Sequence, residues 1–334
     1  MKILDIMPRA AIPGGEISIR WQCQEGLSYS RPVVRFDHVS GHLVSASADL
    51  IVVKVPEEAQ SGDLWVSLNG RQTNKVFCEI GTLLAGDLHP VANPALDLEG
   101  NLYVTISGKR GEKVPHSVFK IDPSGQGKAF VSDLINATGM AFNSQGEMFV
   151  SSRHEGNIYR INSYGEKSVY AKGMGVATGI AFDMEDNLYV GDRTGTIFKI
   201  DRKREIFVFA TLEPSVSAYH LAFDDNQNLF VSGPTTSSYE HIYKITSNGN
   251  VGVFFTGLGR PQGMAFDMEG SLYVAASLGG RRGIVRITRD KQASLVVAGY
   301  HLVGLAFGYH RELYVANSSS VYKLNFGTVG RPLP

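Results

Sequence analysis

Gly179-Ile180-Ala181-Phe182-Asp183-Met184-Glu185-Asp186-Asn187-Leu188-Tyr189-Val190 is the stretch on which the fold turns. A small apolar segment, Ile180-Ala181-Phe182, runs into an acidic turn and out into Leu188-Tyr189-Val190, whose aromatic and β-branched residues suit a buried strand. The pair reads as a β-hairpin. The same unit recurs around Ala95-Leu96-Asp97, Gly139-Met140-Ala141-Phe142-Asn143, His220-Leu221-Ala222-Phe223-Asp224, Gly263-Met264-Ala265-Phe266-Asp267 and Gly304-Leu305-Ala306-Phe307-Gly308. From Leu96 to Phe142 the step is 46 residues, then 40, 41, 43 and 41 to Phe182, Phe223, Phe266 and Phe307. A period near 40 made only of short β segments predicts propeller blades rather than a helical solenoid.

Each unit supplies two further strands. The third alternates, as in Ile197-Phe198-Lys199-Ile200 and Ile242-Tyr243-Lys244-Ile245, and the fourth is an outer strand such as Ser168-Val169-Tyr170-Ala171. The sixth unit ends after Val321-Tyr322-Lys323-Leu324 without an outer strand, whereas an orphan apolar segment, Thr82-Leu83-Leu84-Ala85, precedes the first. The expectation is that this segment completes the sixth blade and leaves no open edge at the seam.

Residues 1–80 lack the repeat. Ile17-Ser18-Ile19-Arg20-Trp21, Val33-Val34-Arg35-Phe36, Leu50 to Val55 and Asp63 to Leu68 read as strands, with turns at Pro13-Gly14-Gly15, Ser61-Gly62-Asp63 and Asn69-Gly70. The fold class expected for the whole chain is all-β: an N-terminal immunoglobulin-like β-sandwich over 1–80 and a six-bladed β-propeller over 81–334.

Lys and Arg number 32, as do Asp and Glu, so no bulk field attracts nucleic acid or a membrane surface. There is no apolar stretch long enough to span a bilayer. Met1-Lys2-Ile3-Leu4-Asp5 meets an acidic residue at once and has no signal-peptide core, which reads as cytoplasmic unless a leader has been removed. The cysteines, Cys23 and Cys78, are read as two buried thiols, or as a disulfide if the compartment is oxidising.

The recurrent Gly-φ-Ala-φ-Asp-x-x-Gly-Asn-Leu-Tyr-Val pattern, seen most fully from Gly263 to Val274 where Ser271 replaces the Asn, resembles NHL repeats. More broadly it is similar to the regucalcin/gluconolactonase/strictosidine-synthase-like superfamily. The first segment resembles an IPT/TIG domain in Ile6-Met7-Pro8 leading to Gly14-Gly15, in Val34-Arg35-Phe36, in Val55-Pro56 and in Gly62 to Gly70. That second resemblance implies a binding or spacer role. The first implies a fold that hosts hydrolases, lyases and pure binders. Its lactonase branch implies an axial calcium held by a Glu near the first inner strand and by Asn or Asp before the Gly of later ones. Here Ala92-Asn93-Pro94 supplies no Glu, and the pre-Gly residues are Thr138, Thr178, Gln262 and Val303. A hard cation takes carboxylates among its oxygen ligands, so no cofactor is predicted and calcium lacks its usual ligand pattern.

Connections entering each inner strand and leaving each second strand emerge on one face of a propeller. They are the longer and more varied ones here, and the opposite face reads as tight polar turns only. Functional groups are expected on the loop face. His89, His116, His154, His220, His241 and His301 are assigned to it. At the repeat position held by Gly139, Gly179, Gly263 and Gly304 the first and fourth units carry Asn93 and His220, which face each other across the axis in a six-fold ring. His220 is the candidate general base if the chain is an enzyme. Arg153 and Arg193 each follow a second strand by three residues and, with Arg281 and Arg282, suit a carboxylate or phosphate, unless Glu155 and Asp192 neutralise them. The ligand-binding candidates are Asn93, Thr138, Arg153, His154, Thr178, Asp192, Arg193, Tyr219, His220, Gln262 and Arg281. Counted over all the loops of this face, nine Lys/Arg stand against seven Asp/Glu, too even to indicate a polyanion. The expected function is binding of a small polar or anionic ligand, or of a partner protein. The alternative is a metal-dependent lactonase-, hydrolase- or lyase-like enzyme. No partner nucleic acid or membrane is expected, and the oligomeric state is not indicated.

Overall fold

The computed structural model describes residues 1–23, 31–236 and 240–332. Among these no helix occurs, and the chain is all-β. The third repeat shows the unit most plainly: Ala177–Phe182, Leu188–Asp192, Thr196–Ile200 and Ile206–Thr211 form one antiparallel sheet in sequence order. The first and second repeats form the same four-stranded sheet, from Ala95–Leu96 to Gly127–Val131 and from Ala137–Phe142 to Lys167–Ala171. In the fourth and fifth repeats the sheets merge, because the outer strand Val251–Gly259 runs on to pair with Leu272–Leu278.

The inter-repeat packing explains the residue types. The aromatic of each second strand meets the inner-strand Phe of the next repeat: Tyr103 with Phe142, Phe149 with Phe182, Tyr189 with Phe223, Phe230 with Phe266 and Tyr273 with Phe307, at ring-centroid distances of 4.9–5.5 Å. Tilted and edge-on contacts of this kind add about 0.5–1.5 kcal/mol each beyond area burial. Tyr314 of the sixth repeat is buried in one cluster with Leu96 of the first, the repeat in which Leu stands where the others have Phe. The recurrent Asp of the turn is explained too. Asp183 Oδ1 accepts from the Glu185 and Asn187 backbone N–H groups, and Oδ2 from Asn187 Nδ2 and the Tyr189 hydroxyl, which ties the turn to the strand after it.

Thr82–Ala85 pairs antiparallel with Val321–Asn325, supplying the outer strand that the sixth repeat lacks. This is the seam expected from sequence.

In residues 1–80, one sheet contains Lys2–Met7, Glu16–Gln22, Leu50–Lys54 and His42–Ala46. A second contains Val33–Phe36, Gly62–Leu68 and Val76–Ile80. Their inward residues, among them Ile17, Ile19, Trp21, Ile51, Val34, Leu64 and Val66, share one core. Cys78 lies in that core, and burial, with Glu79 beside it, pushes its thiol up to about 12. The short strand Ala10–Ala11 lies parallel both to Val76–Ile80 and to Ala293–Ala298, so the first eighty residues are hydrogen-bonded to the outer strand of the fifth repeat.

Candidate functional site

The floor of the loop face is built from backbone. Neighbouring inner strands begin so close together that a side chain at Gly139 would place its Cβ 2.3 Å from the Thr178 carbonyl oxygen, and one at Gly179 the same distance from that of Tyr219. A hydroxyl after the Tyr-Val or Phe-Val of the second strand fixes this approach. Thr105, Ser151 and Ser232 donate to the carbonyls of Thr138, Thr178 and Gln262 in the next repeat. Sequence reading missed this tether, although its signal is visible in Val104-Thr105, Val150-Ser151 and Val231-Ser232.

Above the floor lies a cleft of about 750 Å³. It brings together Thr138, Arg153, Thr178, Arg193 and Gln262 from the sequence candidates, and adds His89, Lys109 and Arg260. Among the described residues, four cationic side chains (Lys109, Arg153, Arg193, Arg260) line it against one carboxylate, Glu112, which accepts from the Lys109 backbone N–H. The near-even charge count over all the loops therefore averages away a local excess.

Arg153 is the central group. One terminal nitrogen donates to the Gly108 carbonyl at 3.2 Å, while its buried Nε has no hydrogen-bond partner. Burial lowers its pKa, and Arg193 and Arg110 push the same way. The neighbouring acids do not neutralise it. Asp192 accepts from the Val176 and Thr194 N–H groups and from the Thr194 hydroxyl, and Glu155 accepts from the Tyr159 hydroxyl at 2.8 Å. Among the described residues, none of Lys109, Arg153, Arg193 and Arg260 is in an ion pair. Arg193 Nε donates to the Ser215 carbonyl at 3.3 Å.

Other candidates fall elsewhere. Asn93 and His220 both line the axial channel, not the cleft of the loop face. Asn93 spans the fifth and sixth repeats, donating to the Met264 carbonyl at 2.8 Å and accepting from the Leu305 N–H at 3.1 Å. His220 is buried beneath the floor and lines the axial channel on the other side; its Nε2 has no partner. Burial pushes its pKa down to about 4, against a smaller opposing pull from Gln262. Tyr219 is buried, with its hydroxyl donating to the Glu213 carbonyl. The His154 ring lies against Gly111. Arg281 is exposed at the tip of the Leu272–Leu278/Arg281–Ile287 hairpin, and Arg282 stacks over Tyr300, 5.5 Å from its centroid; neither lines the cleft.

The floor does not fit a divalent cation. Thr178 Oγ1 donates to the Gly191 carbonyl and accepts from the Tyr219 N–H, Thr138 Oγ1 donates to the Asn136 carbonyl, and Asn93 Oδ1 is engaged as above. No carboxylate stands among them.

No family model and no curated protein matches the sequence. Solved structures do match. An auxiliary nutrient binding protein from Bacteroides ovatus superposes with a TM-score of 0.58 at 13% identity, covering 97% of this chain and 98% of its own. A gluconolactonase from Xanthomonas campestris gives 0.59 at 15% identity, over 77% of this chain and 90% of its own. A luciferin-regenerating enzyme gives 0.59 at 16%, over 76% and 97%. The chain shares the β-propeller fold. At these identities the likeness is one of fold alone. Among the described residues, no helix is long and apolar enough to cross a membrane.

Proposed function

We propose that the six repeats form a six-bladed β-propeller over 81–334, that residues 1–80 form an immunoglobulin-like domain of the IPT/TIG kind, and that the chain is a binding protein whose loop-face cleft holds a small anionic ligand. One observation carries the binding reading: Arg153 and Arg193 line a single cleft, and among the described residues neither is in an ion pair and the buried Nε of Arg153 has no hydrogen-bond partner. A guanidinium left in this state is costly, and a carboxylate or phosphate oxygen would satisfy it by charge-assisted hydrogen bonds. Thr138, Thr178 and Gln262 form a polar but uncharged floor beneath it. The nutrient-binding relative, which spans both parts of this chain, is in keeping with a ligand carrier. The lactonase alternative lacks a carboxylate set on the floor, and its candidate base, His220, is buried beneath it.

The reading is tested by thermal unfolding with inorganic phosphate, succinate and gluconate, each against an equal ionic strength of chloride. At least one should raise the melting temperature of the parent protein and leave that of Arg153→Met unchanged. Equal shifts in both proteins would reject it.

A further inference from the structure

The face opposite the cleft is not the row of polar turns expected from sequence. The residue after the turn's Asp or Gly is Leu98, Met184, Met268 and Tyr309 in the first, third, fifth and sixth repeats, with 66%, 63%, 61% and 43% of its surface exposed. These hairpin tips are held by backbone and Asp contacts, so the fold gives no reason for apolar side chains there. Met184, Met268 and Tyr309 stand at the mouth of an axial channel of about 480 Å³, within the roughly 300–1,000 Å³ of small-molecule sites. Its walls are inner-strand side chains such as Phe142, Phe182, Leu221 and Phe266, and His220 is among its lining.

Among the described residues that line this largely apolar channel, the charged ones are Arg331, Asp225 and Asp267. The segment after Phe326 crosses the hairpin face, with the Arg331 N–H donating to the Phe266 carbonyl and an Asp267–Gly330 bridge beside it. The Arg331 guanidinium donates to the Phe223 carbonyl at 3.0 Å. Two of the nearby acids are engaged elsewhere, Asp225 with Arg289 at 2.7 Å and Asp224 with Lys244 at 3.6 Å and with Asn228. Asp267, which lines the channel with Asp225, accepts from the Ser271 N–H through Oδ1 and keeps a buried Oδ2 that has no partner among the described residues. Among the described residues Arg331 has no ion pair. Burial lowers its pKa, partly offset by Asp225 and Asp224.

We propose that the hairpin-face mouth of the axial channel is a second binding site, which takes a small apolar carboxylate tail first and holds its head group on Arg331. Exposed methionines suit such a mouth because their flexible, polarizable side chains adapt to an entering apolar body. The apolar part of the rim comes from the third, fifth and sixth repeats, with Ser144 and Asp225 at the same position of the second and fourth. Exposed apolar side chains at the mouth of an apolar cavity are a common mark of a ligand site.

Calorimetric titration with octanoate and with neutral octanamide tests the proposal. Octanoate should bind the full chain with one-to-one stoichiometry. Arg331→Gln should weaken octanoate at least tenfold and octanamide less than twofold. Met184→Ser combined with Met268→Ser changes two exposed rim positions, of which Met184 also meets the Arg331 guanidinium through its sulfur at 3.9 Å, and should weaken both several-fold. Ala222→Phe, which fills the channel, should remove both, whereas Arg153→Met should alter neither. No octanoate binding, binding in multiple copies, equal loss of both compounds in Arg331→Gln, or full binding in a folded Ala222→Phe protein would each overturn it. So would a rim that only mediates self-association, seen as dimers broken by the methionine variants without octanoate binding.

Discussion

The two ends of the axis are built from the same six repeats and differ in almost every chemical respect. The loop end is a wide cleft lined by four cations and a polar floor. The hairpin end is a channel walled by Phe, Leu and Met, with Arg331, Asp225 and Asp267 as its charged lining among the described residues. Between them lies the layer where inner strands meet backbone to backbone, and His220 is buried just beneath it, in the lining of the channel. The lesson is that variation in a repeat protein has two sources. Loops of unequal length can gather charge at one end, because nothing in the repeat constrains them. The hairpin tips are short and fixed in shape, so they vary only in the side chain that they project.

Substitutions can sharpen or break this contrast. The largest effect on stability is expected at the dividing layer. His220 ordinarily titrates near 6.5 and is pushed down to about 4 in the fold, so the unfolded chain binds its proton first as pH falls. The stability contributed by keeping the ring neutral is present above pH 6.5 and is lost progressively between 6.5 and 4, up to about 3 kcal/mol at 1.36 kcal/mol per unit. Urea unfolding of the parent and of His220→Gln at several pH values should show a flatter dependence in the variant. Parallel curves would mean that other groups govern acid sensitivity.

A smaller effect belongs to the loop end. Arg153→Met removes a buried unpartnered Nε and relieves repulsion from Arg193 and Arg110, so in the absence of ligand it should stabilise by ~1 kcal/mol. Destabilisation would show that Arg153 serves the loop through its bond to Gly108 rather than the cleft. The smallest belongs to the hairpin end. In the fifth repeat Ser271 stands where Asn101, Asn187 and Asn228 donate to the turn's Asp, and Asp267 Oδ2 is left buried without a partner. Ser271→Asn should add about 0.5–1 kcal/mol, measured by the same unfolding.

Much of the architecture was legible because it repeats. The Ala-Phe and Tyr-Val segments gave the strand order, and the orphan Thr82-Leu83-Leu84-Ala85 gave the seam, since each is a local pattern that packing reinforces. The identity of residues on the cleft was legible in part. Arg153 and Arg193 sit three residues past the equivalent Val150 and Val190 and line one cleft, whereas Arg281 lies seven past Val274, at the tip of a longer hairpin, and does not line it. His220 and Asn93 were marked by breaks in a glycine pattern, but the side-chain direction at those positions depends on which neighbouring carbonyls and N–H groups remain open. That is a tertiary property with no sequence signature. The apolar rim was visible in Leu98, Met184, Met268 and Tyr309, but the Asp, Gly and Asn around each of them dominate a reading by composition.

The most direct test of the account is a calorimetric titration of the whole protein with inorganic phosphate, succinate and gluconate, repeated on Arg153→Met, Arg193→Met and the double variant. At least one of these anions should bind one-to-one, weakened about tenfold or more by each single change and abolished by the double, with a marked dependence on salt. Failure of all three to bind, or binding that survives in the double variant, would contradict an anion site in the arginine-lined cleft.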